Sequence, residues 1–285
     1  MQHQEPSDTR AHPYTVRVGD AAFIGRIPEN YHWGLGPFLF EPFARELVSR
    51  VELYEPARIL EVACGTGIVT RRLRAALPAA ELVATDLNEP MLTLAKRTLG
   101  PRAPVTWRSA DMTDLPFDAG AFDGYVGAFG LMFVPDKRAA AREARRVLRP
   151  GGRAFISTWR PLERNPVWRC AHDVVASFFP TDPPQFYRTP TGFGEPRQIA
   201  ELLFEAGFDG VHSEIVEITS VAPSARELAV GFIEGFPVVD LIKARRPALL
   251  PVVVDALAER LSARFGNPPT APIAALITSA TVPSL

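Results

Sequence analysis

Three acids and a pair of glycines carry most of the chemistry open to this chain. Glu61 closes the short apolar run Ile59-Leu60, and Gly65 and Gly67 follow before a helical pattern sets in. That order describes a strand turning sharply into a helix. Glycine at such a turn takes backbone angles that other residues avoid, and puts no side chain between backbone and ligand. The helix start beyond it offers free N–H groups. Asp86 ends a second strand-like run from Glu81, where a carboxylate can hold both hydroxyls of a ribose. The same residue also suits an N-cap for a helix starting near Asn88 or Glu89. Asp111 stands just past a third run, Val105 to Arg108. The set points to a nucleotide-like ligand. The dinucleotide pattern G-x-G-x-x-G meets Thr70 at its third glycine, which, with the Asp111 segment, disfavours an NAD-type oxidoreductase.

These residues need a scaffold that alternates strand and helix. Phe122 to Gly127 reads as a fourth strand, and Ala139 to Trp159 as a helix, a Pro150-Gly151-Gly152 turn and a fifth strand. Glycine and proline clusters punctuate each change, the pattern of a parallel doubly wound sheet. Arg138, Arg142, Arg145, Arg146 and Arg149 form a solvated helix face opposite Ala140, Ala144, Val147 and Leu148. Further on, Arg197 to Ala206 reads as a helix and Val211 to Thr219 as a strand. Ala225 to Phe236 and Ala248 to Phe265 read as helices, and Ala271 to Ala280 as a closing strand. The fold class is α/β: a Rossmann-like, doubly wound, seven-stranded sheet with a helical cap and a lid insert. The expected plan is a disordered leader (1–20), a helical cap (21–57), a ligand-binding core (58–160), an insert (161–196) and a C-terminal completion of the sheet (197–285). The insert is crowded with Pro161, Pro166, Pro180, Pro183, Pro184, Pro190 and Pro196, too many for the inside of long regular elements.

From Arg58 to Trp159 the sequence resembles class I S-adenosylmethionine-dependent methyltransferases, of the broad group that includes the ubiquinone and menaquinone biosynthesis enzymes. The resemblance rests on the E-x-A-C-G-T-G turn at Glu61 to Gly67, the acid Asp86, the A-D-M segment at Ala110 to Met112, the loop after the fourth strand, and Leu148-Arg149-Pro150-Gly151-Gly152. It implies S-adenosylmethionine as cofactor. Glu61, Ala63, Gly65 and Gly67 would wrap its methionine part, Asp86 would bind the ribose hydroxyls, and Leu87 would also contact the cofactor. Asp111 would face the adenine amino group, with the Met112 backbone against the ring. Gly127, Ala128 and Phe129 would border the methyl group. Leu148 to Gly152 reads as a structural turn. The resemblance also implies a sheet that ends with an antiparallel strand.

Composition excludes other classes. At 285 residues the chain holds one large or two small domains, and 47% hydrophobic with 22% charged residues is ordinary for a globular protein. A net charge of −1 gives no pull toward nucleic acid, and no apolar run approaches the roughly 20 residues of a spanning helix. Met1 to Arg10 is polar and lacks the apolar core of a signal peptide, so the expected location is the cytoplasm. Cys64 and Cys170 form neither a disulfide framework nor a metal-ligand spacing, so no metal is expected. The expected partner is a small-molecule acceptor, with the chain a monomer or homodimer.

Three segments are placed to cap the carboxyl ends of the strands, where an acceptor sits in this fold. They are Tyr31-His32-Trp33, the loop Phe129 to Phe133 with Met132, and the insert with Trp168, Phe186 and Tyr187. As a group their aromatics suit a hydrophobic or ring-bearing acceptor; singly, each also suits the seam between cap and core. Gly34 and Gly36 would let the cap segment bend as a lid. His32 is the candidate general base, with a packing or hydrogen-bonding role as its alternative. His172, on a helix from Val167 to Phe178, carries the same ambiguity. The expected activity is methyl transfer to an O, N or C atom of a small acceptor. The competing expectation is a cofactor-binding cyclase or scaffold of the same fold.

Overall fold

The computed structural model describes residues 19–284. One sheet is built from β1 (Arg58–Val62), β2 (Glu81–Asp86), β3 (Thr106–Ser109), β4 (Phe122–Ala128), β5 (Leu148–Trp159), β6 (Asp209–Val221) and β7 (Thr270–Thr281). Their spatial order is β3-β2-β1-β4-β5-β7-β6. β1 to β5 are parallel, and β7 enters antiparallel between β5 and β6. Strand order therefore steps away from β1 on one side and resumes at β4 on the other. Such a reversal opens a crevice at the carboxyl ends of the adjoining strands. That crevice is where Ala63 and Ala128 leave the sheet.

Helices cover both faces: α1 (Ile27–Asn30), α2 (Glu41–Glu52), α3 (Ile68–Ala76), α4 (Glu89–Leu99), α5 (Lys137–Val147), α6 (Pro166–Ser177), α7 (Arg188–Thr191), α8 (Pro196–Glu205), α9 (Ala225–Glu234), α10 (Val238–Arg245) and α11 (Leu250–Phe265). A π-helical stretch, Tyr31–Phe40, joins α1 to α2. α5 buries Ala140, Ala141, Ala144 and Val147, the small apolar face its sequence predicts, and the Asp136 carboxylate accepts from Ala139 N at 2.9 Å to cap it. The prolines of the insert sit where a missing N–H costs nothing: Pro166 and Pro196 open α6 and α8. The Arg149–Gly152 turn is an excursion within β5, whose register to β4 jumps between the Leu148 and Arg153 pairings.

Two expectations about organisation change. The insert is not a separate lid. Trp168, Phe186, Tyr187 and Phe193 are buried in the same core cluster as the sheet and the cap. Trp168 packs against Trp159 of β5 at 5.5 Å, and against Phe232 and Phe236 at 5.2 and 5.3 Å. Burying a side chain of this size is worth about 2–3 kcal/mol, which fixes the insert in place. The leader expected over 1–20 lies outside the described residues except for its end, and that end is anchored. Asp20 is buried, and its carboxylate accepts from Thr189 Oγ1 at 2.6 Å.

The cap segment also differs from a bending lid. Gly34 faces Gly231 of α9 so closely that an added Cβ would stand 2.8 Å from the Gly231 Cα. Gly235 approaches the Tyr31 backbone in the same way, at 2.9 Å. These glycines serve close helix packing, and the seam is rigid for that reason.

Candidate functional site

The turn after β1 concentrates unusual backbone angles. Ala63, Gly65 and Gly67 all hold positive φ, at 49, 56 and 81°. A non-glycine residue there is strained and persists only when its surroundings enforce it. Phe129, just past β4, does the same at 56°. The two turns touch, since a Cβ on Gly130 would sit 2.4 Å from the Ala63 Cβ. The two turns thus meet in close contact at the floor of the crevice.

Asp86, at the end of β2, ties this turn down. Its Oδ2 accepts from Gly65 N and its Oδ1 from Asn88 N, both at 2.8 Å. It is not the cap of α4, whose N-cap position is Asn88. Burial raises the Asp86 pKa, opposed by these backbone donors. Beside it opens a cavity of about 360 Å³, within the roughly 300–1,000 Å³ common for small-molecule sites. Ala63, Gly65, Asp86, Leu87, Asp111, Met112 and Ala128 line one part of it. Tyr31, Phe129 and Phe133 line the rest, together with Phe23. The Asp111 carboxylate is exposed and accepts at 2.8 Å from both the amide and the hydroxyl of Thr113.

A smaller pocket of about 30 Å³ shares Tyr31, Ala63, Gly65, Ala128 and Phe129 with the cavity and reaches Glu61. Glu61 is 1% exposed, and neither carboxylate oxygen has a hydrogen-bond partner. Burial pushes its pKa up to about 8; Thr70, facing it outside good hydrogen-bond geometry, offsets only part of that. An unpartnered buried carboxylate is costly unless something pairs with it. A ligand ammonium in the small pocket would supply that partner. The donor set therefore fits an amino-acid moiety at Glu61 continuing into a nucleoside beside Asp86 and Asp111.

Several residues expected at the site stand elsewhere. Gly67 packs α3 on α4, where an added Cβ would meet Leu99 Cδ1 at 2.9 Å. Gly127 lies beneath the cavity floor, lining a gap between β4 and α5. Met132, Trp168, Phe186 and Tyr187 are core, between 0 and 2% exposed, and do not reach the cavity. The insert is drawn into the core by its own aromatic mass, so these rings back the cavity wall at one remove. Phe133 meets Phe186 at 6.3 Å, and Tyr31 meets Phe236 at 5.9 Å. Trp33 is 64% exposed, because two residues on from inward-facing Tyr31 a helix presents its opposite side. His32 does not line the cavity either; its Nδ1 lies 2.8 Å from Thr66 Oγ1. His172 sits on α6 as expected, buried with Nδ1 unpartnered and its ring against Tyr187.

Phe23, Met91 and Asp136 line the cavity without having been singled out in sequence. Phe23 is held there by its N–H donating to Asn88 Oδ1 at 3.2 Å. The pair Phe23-Ile24 between Gly19 and Gly25 was the available signal: an apolar step in an otherwise polar approach to the cap.

Comparison with known proteins agrees with this geometry. A family profile described as a methyltransferase domain matches residues 59–152. The chain is 31% identical to a demethylmenaquinone methyltransferase of Lactiplantibacillus plantarum over 59% of this chain and 77% of that protein. It is 35% identical to an uncharacterised protein of Mycobacterium tuberculosis over 45% of this chain, and spans about half that protein's length, 49%. Among solved structures, a phosphoethanolamine N-methyltransferase of Haemonchus contortus in complex with S-adenosyl-L-methionine superposes with TM-score 0.58 at 16% identity, over 93% of this chain and 59% of that one. The cyclase SpnF superposes with TM-score 0.52 at 21% identity, over 86% and 82%. These last two likenesses establish the fold. With motif order, sheet topology and relatives in agreement, the chain belongs to the class I S-adenosylmethionine-dependent methyltransferases, and S-adenosylmethionine is its cofactor.

Proposed function

We propose that this protein transfers a methyl group from S-adenosylmethionine to an O, N or C atom of a small apolar or aromatic acceptor. The observation that carries the reading is Glu61: a buried, unpartnered carboxylate in a pocket that opens into a cavity flanked by Asp86 and Asp111. Glu61 would take the cofactor ammonium, and Asp86 the ribose hydroxyls, with Leu87 and Met112 against the purine. The sulfonium already supplies a good leaving group, so the chain's task is placement. Phe23, Tyr31, Phe129 and Phe133 would hold the acceptor in line and exclude water. Tyr31 stacks on Phe40 at 4.4 Å, and burial, with the nearby Asp86 charge, raises its pKa well above the ordinary phenol value. It therefore stays protonated and does not serve as a base. A base is needed only when the acceptor must lose its proton before attack. The quinone-biosynthesis relatives make a quinol-like ring the first acceptor to try.

The test has two stages. Saturating S-adenosylmethionine and S-adenosylhomocysteine should each raise the melting temperature, adding about 2.7 kcal/mol at a hundredfold excess over Kd. NAD should not. Incubation with methyl-labelled cofactor and a panel of quinol, phenol, polyketide and amine acceptors should then yield a labelled product. Cofactor binding with no transfer to any acceptor would favour the cyclase or scaffold reading instead.

A further inference from the structure

We propose that His32 is a positioning residue for the cofactor: through Thr66 Oγ1 it holds the Gly65–Gly67 turn in its binding shape. This rests on the methyltransferase reading and replaces a base role for His32. Thr66 is buried between the two positive-φ glycines and lines the small pocket with Glu61. A turn of this kind has little intrinsic preference for one shape and depends on outside ties. Three are present. Asp86 holds Gly65 N from β2, Thr98 Oγ1 donates to the Thr66 carbonyl from α4 at 3.4 Å, and His32 reaches the Thr66 hydroxyl from the cap at 2.8 Å. Of these, the His32 bond alone reaches a side chain of the turn.

His32 is well placed to transmit rigidity. Its neighbour Tyr31 is stacked on Phe40, Gly34 is pressed against Gly231, and the Trp33 ring stands edge-on at 4.5 Å. The charged groups around it come from three elements. Arg71 of α3 and Arg97 of α4 oppose a charge on the imidazole, while Glu41 at the head of α2 favours one. Glu41 is already paired with Arg71 and Arg72, and Arg97 with Glu29. Burial first, then Arg71, pushes the His32 pKa below its ordinary value, so the ring is neutral at pH 7. Protonation adds a cation where Arg71 and Arg97 already oppose one, against the Thr66 that lines the pocket proposed for the cofactor ammonium. Cofactor affinity then carries a component that falls in acid and belongs to His32.

Calorimetric titration with S-adenosylhomocysteine between about pH 5.5 and about pH 8 tests this. His32→Phe and Thr66→Val should each weaken binding about tenfold at neutral pH, the worth of one hydrogen bond, and the double variant should be no weaker than either. His32→Asn puts an amide where Nδ1 sits; it should bind within about threefold of wild type and lack the His32-dependent fall in acid. Denaturant curves on every variant separate binding from folding, and Thr66→Ala, which also removes the hydroxyl, stands in where Thr66→Val does not fold. Binding by His32→Phe equal to wild type, an Asn variant as weak as the Phe variant, or additive losses in the double variant would each overturn the proposal. If wild type itself fails to bind S-adenosylhomocysteine, the methyltransferase reading falls and takes this one with it.

Discussion

The two ends of the cavity are built on opposite principles. At the β1 and β4 turns the backbone does the work: Ala63, Gly65, Gly67 and Phe129 hold strained or glycine-only angles, while Glu61, Asp86 and Asp111, at or near the ends of β1, β2 and β3, supply the chemistry. At the acceptor end, side chains do it: Phe23, Tyr31 and Phe133 form a wall backed by Phe236 and Phe186. Strained backbone tolerates almost no substitution, whereas an aromatic wall can change shape by swapping rings. The first end suits a constant ligand, the second a varying one.

Substitutions can break this contrast. The largest effect should come from Gly34→Ala, which drives a methyl into the Gly231 backbone and should cost about 3 kcal/mol in a urea curve. Cofactor affinity per folded molecule should not change; if it does, cap and turn are one unit. Asp86→Ala should weaken cofactor binding about a hundredfold, or about 3 kcal/mol, through lost ribose hydrogen bonds. It also frees Gly65 N and Asn88 N, so some stability goes with it. Stability loss with unaltered affinity would mean the carboxylate serves only the turn.

Glu61→Gln should act in opposite directions on the empty and the loaded protein. The Glu61 pKa is raised by folding, so the native state keeps a proton that the unfolded chain has lost. Stability therefore declines as pH rises from the ordinary glutamate range toward about 8, by up to about 1.4 kcal/mol per pH unit. The glutamine variant should escape this and be the more stable of the two at pH 8, with parity near pH 4. Its cofactor affinity should drop, because the ammonium loses its counter-charge. A glutamine variant no more stable at pH 8 would mean Glu61 has a partner in solution. Trp33→Ala should do least, within about 0.5 kcal/mol in stability, with little effect on cofactor affinity. A strong loss of turnover there would return Trp33 to the acceptor side.

The contrast also decides what the sequence discloses. β1, β2 and β4 and the acids Glu61, Asp86 and Asp111 at or after the ends of β1, β2 and β3 are legible because buried parallel strands read as apolar runs, and a glycine turn after such a run has few meanings. Asp86 and Asp111 lie beside the cavity as those runs require. The stretch beyond Val211 is legible because a half-exposed antiparallel edge strand alternates, and the closing strand because it is a buried apolar run; they fall short by two residues and one residue at each end. The acceptor wall is not legible. Nothing local in Trp168 or Tyr187 says whether an aromatic ring faces a cavity or a core; that depends on which neighbour arrives first. Gly34 and Gly36 look like hinges in sequence because a hinge and a close helix contact both ask for no side chain. His32 misleads likewise, its role being set by Thr66, 34 residues away.

The glycine seam between the cap and α9 has a kinetic consequence. With Gly34 against Gly231 and Gly235 against Tyr31, the cap behaves as a wall and not a door. Leu87, Asp111 and Asp136, all exposed, rim the opening left to the cavity. On the proposed reading cofactor and acceptor share that entrance, with the cofactor's amino-acid end at buried Glu61 the deepest part. Initial-rate experiments should show compulsory order: S-adenosylmethionine enters first, S-adenosylhomocysteine leaves last, and the latter inhibits competitively against the former.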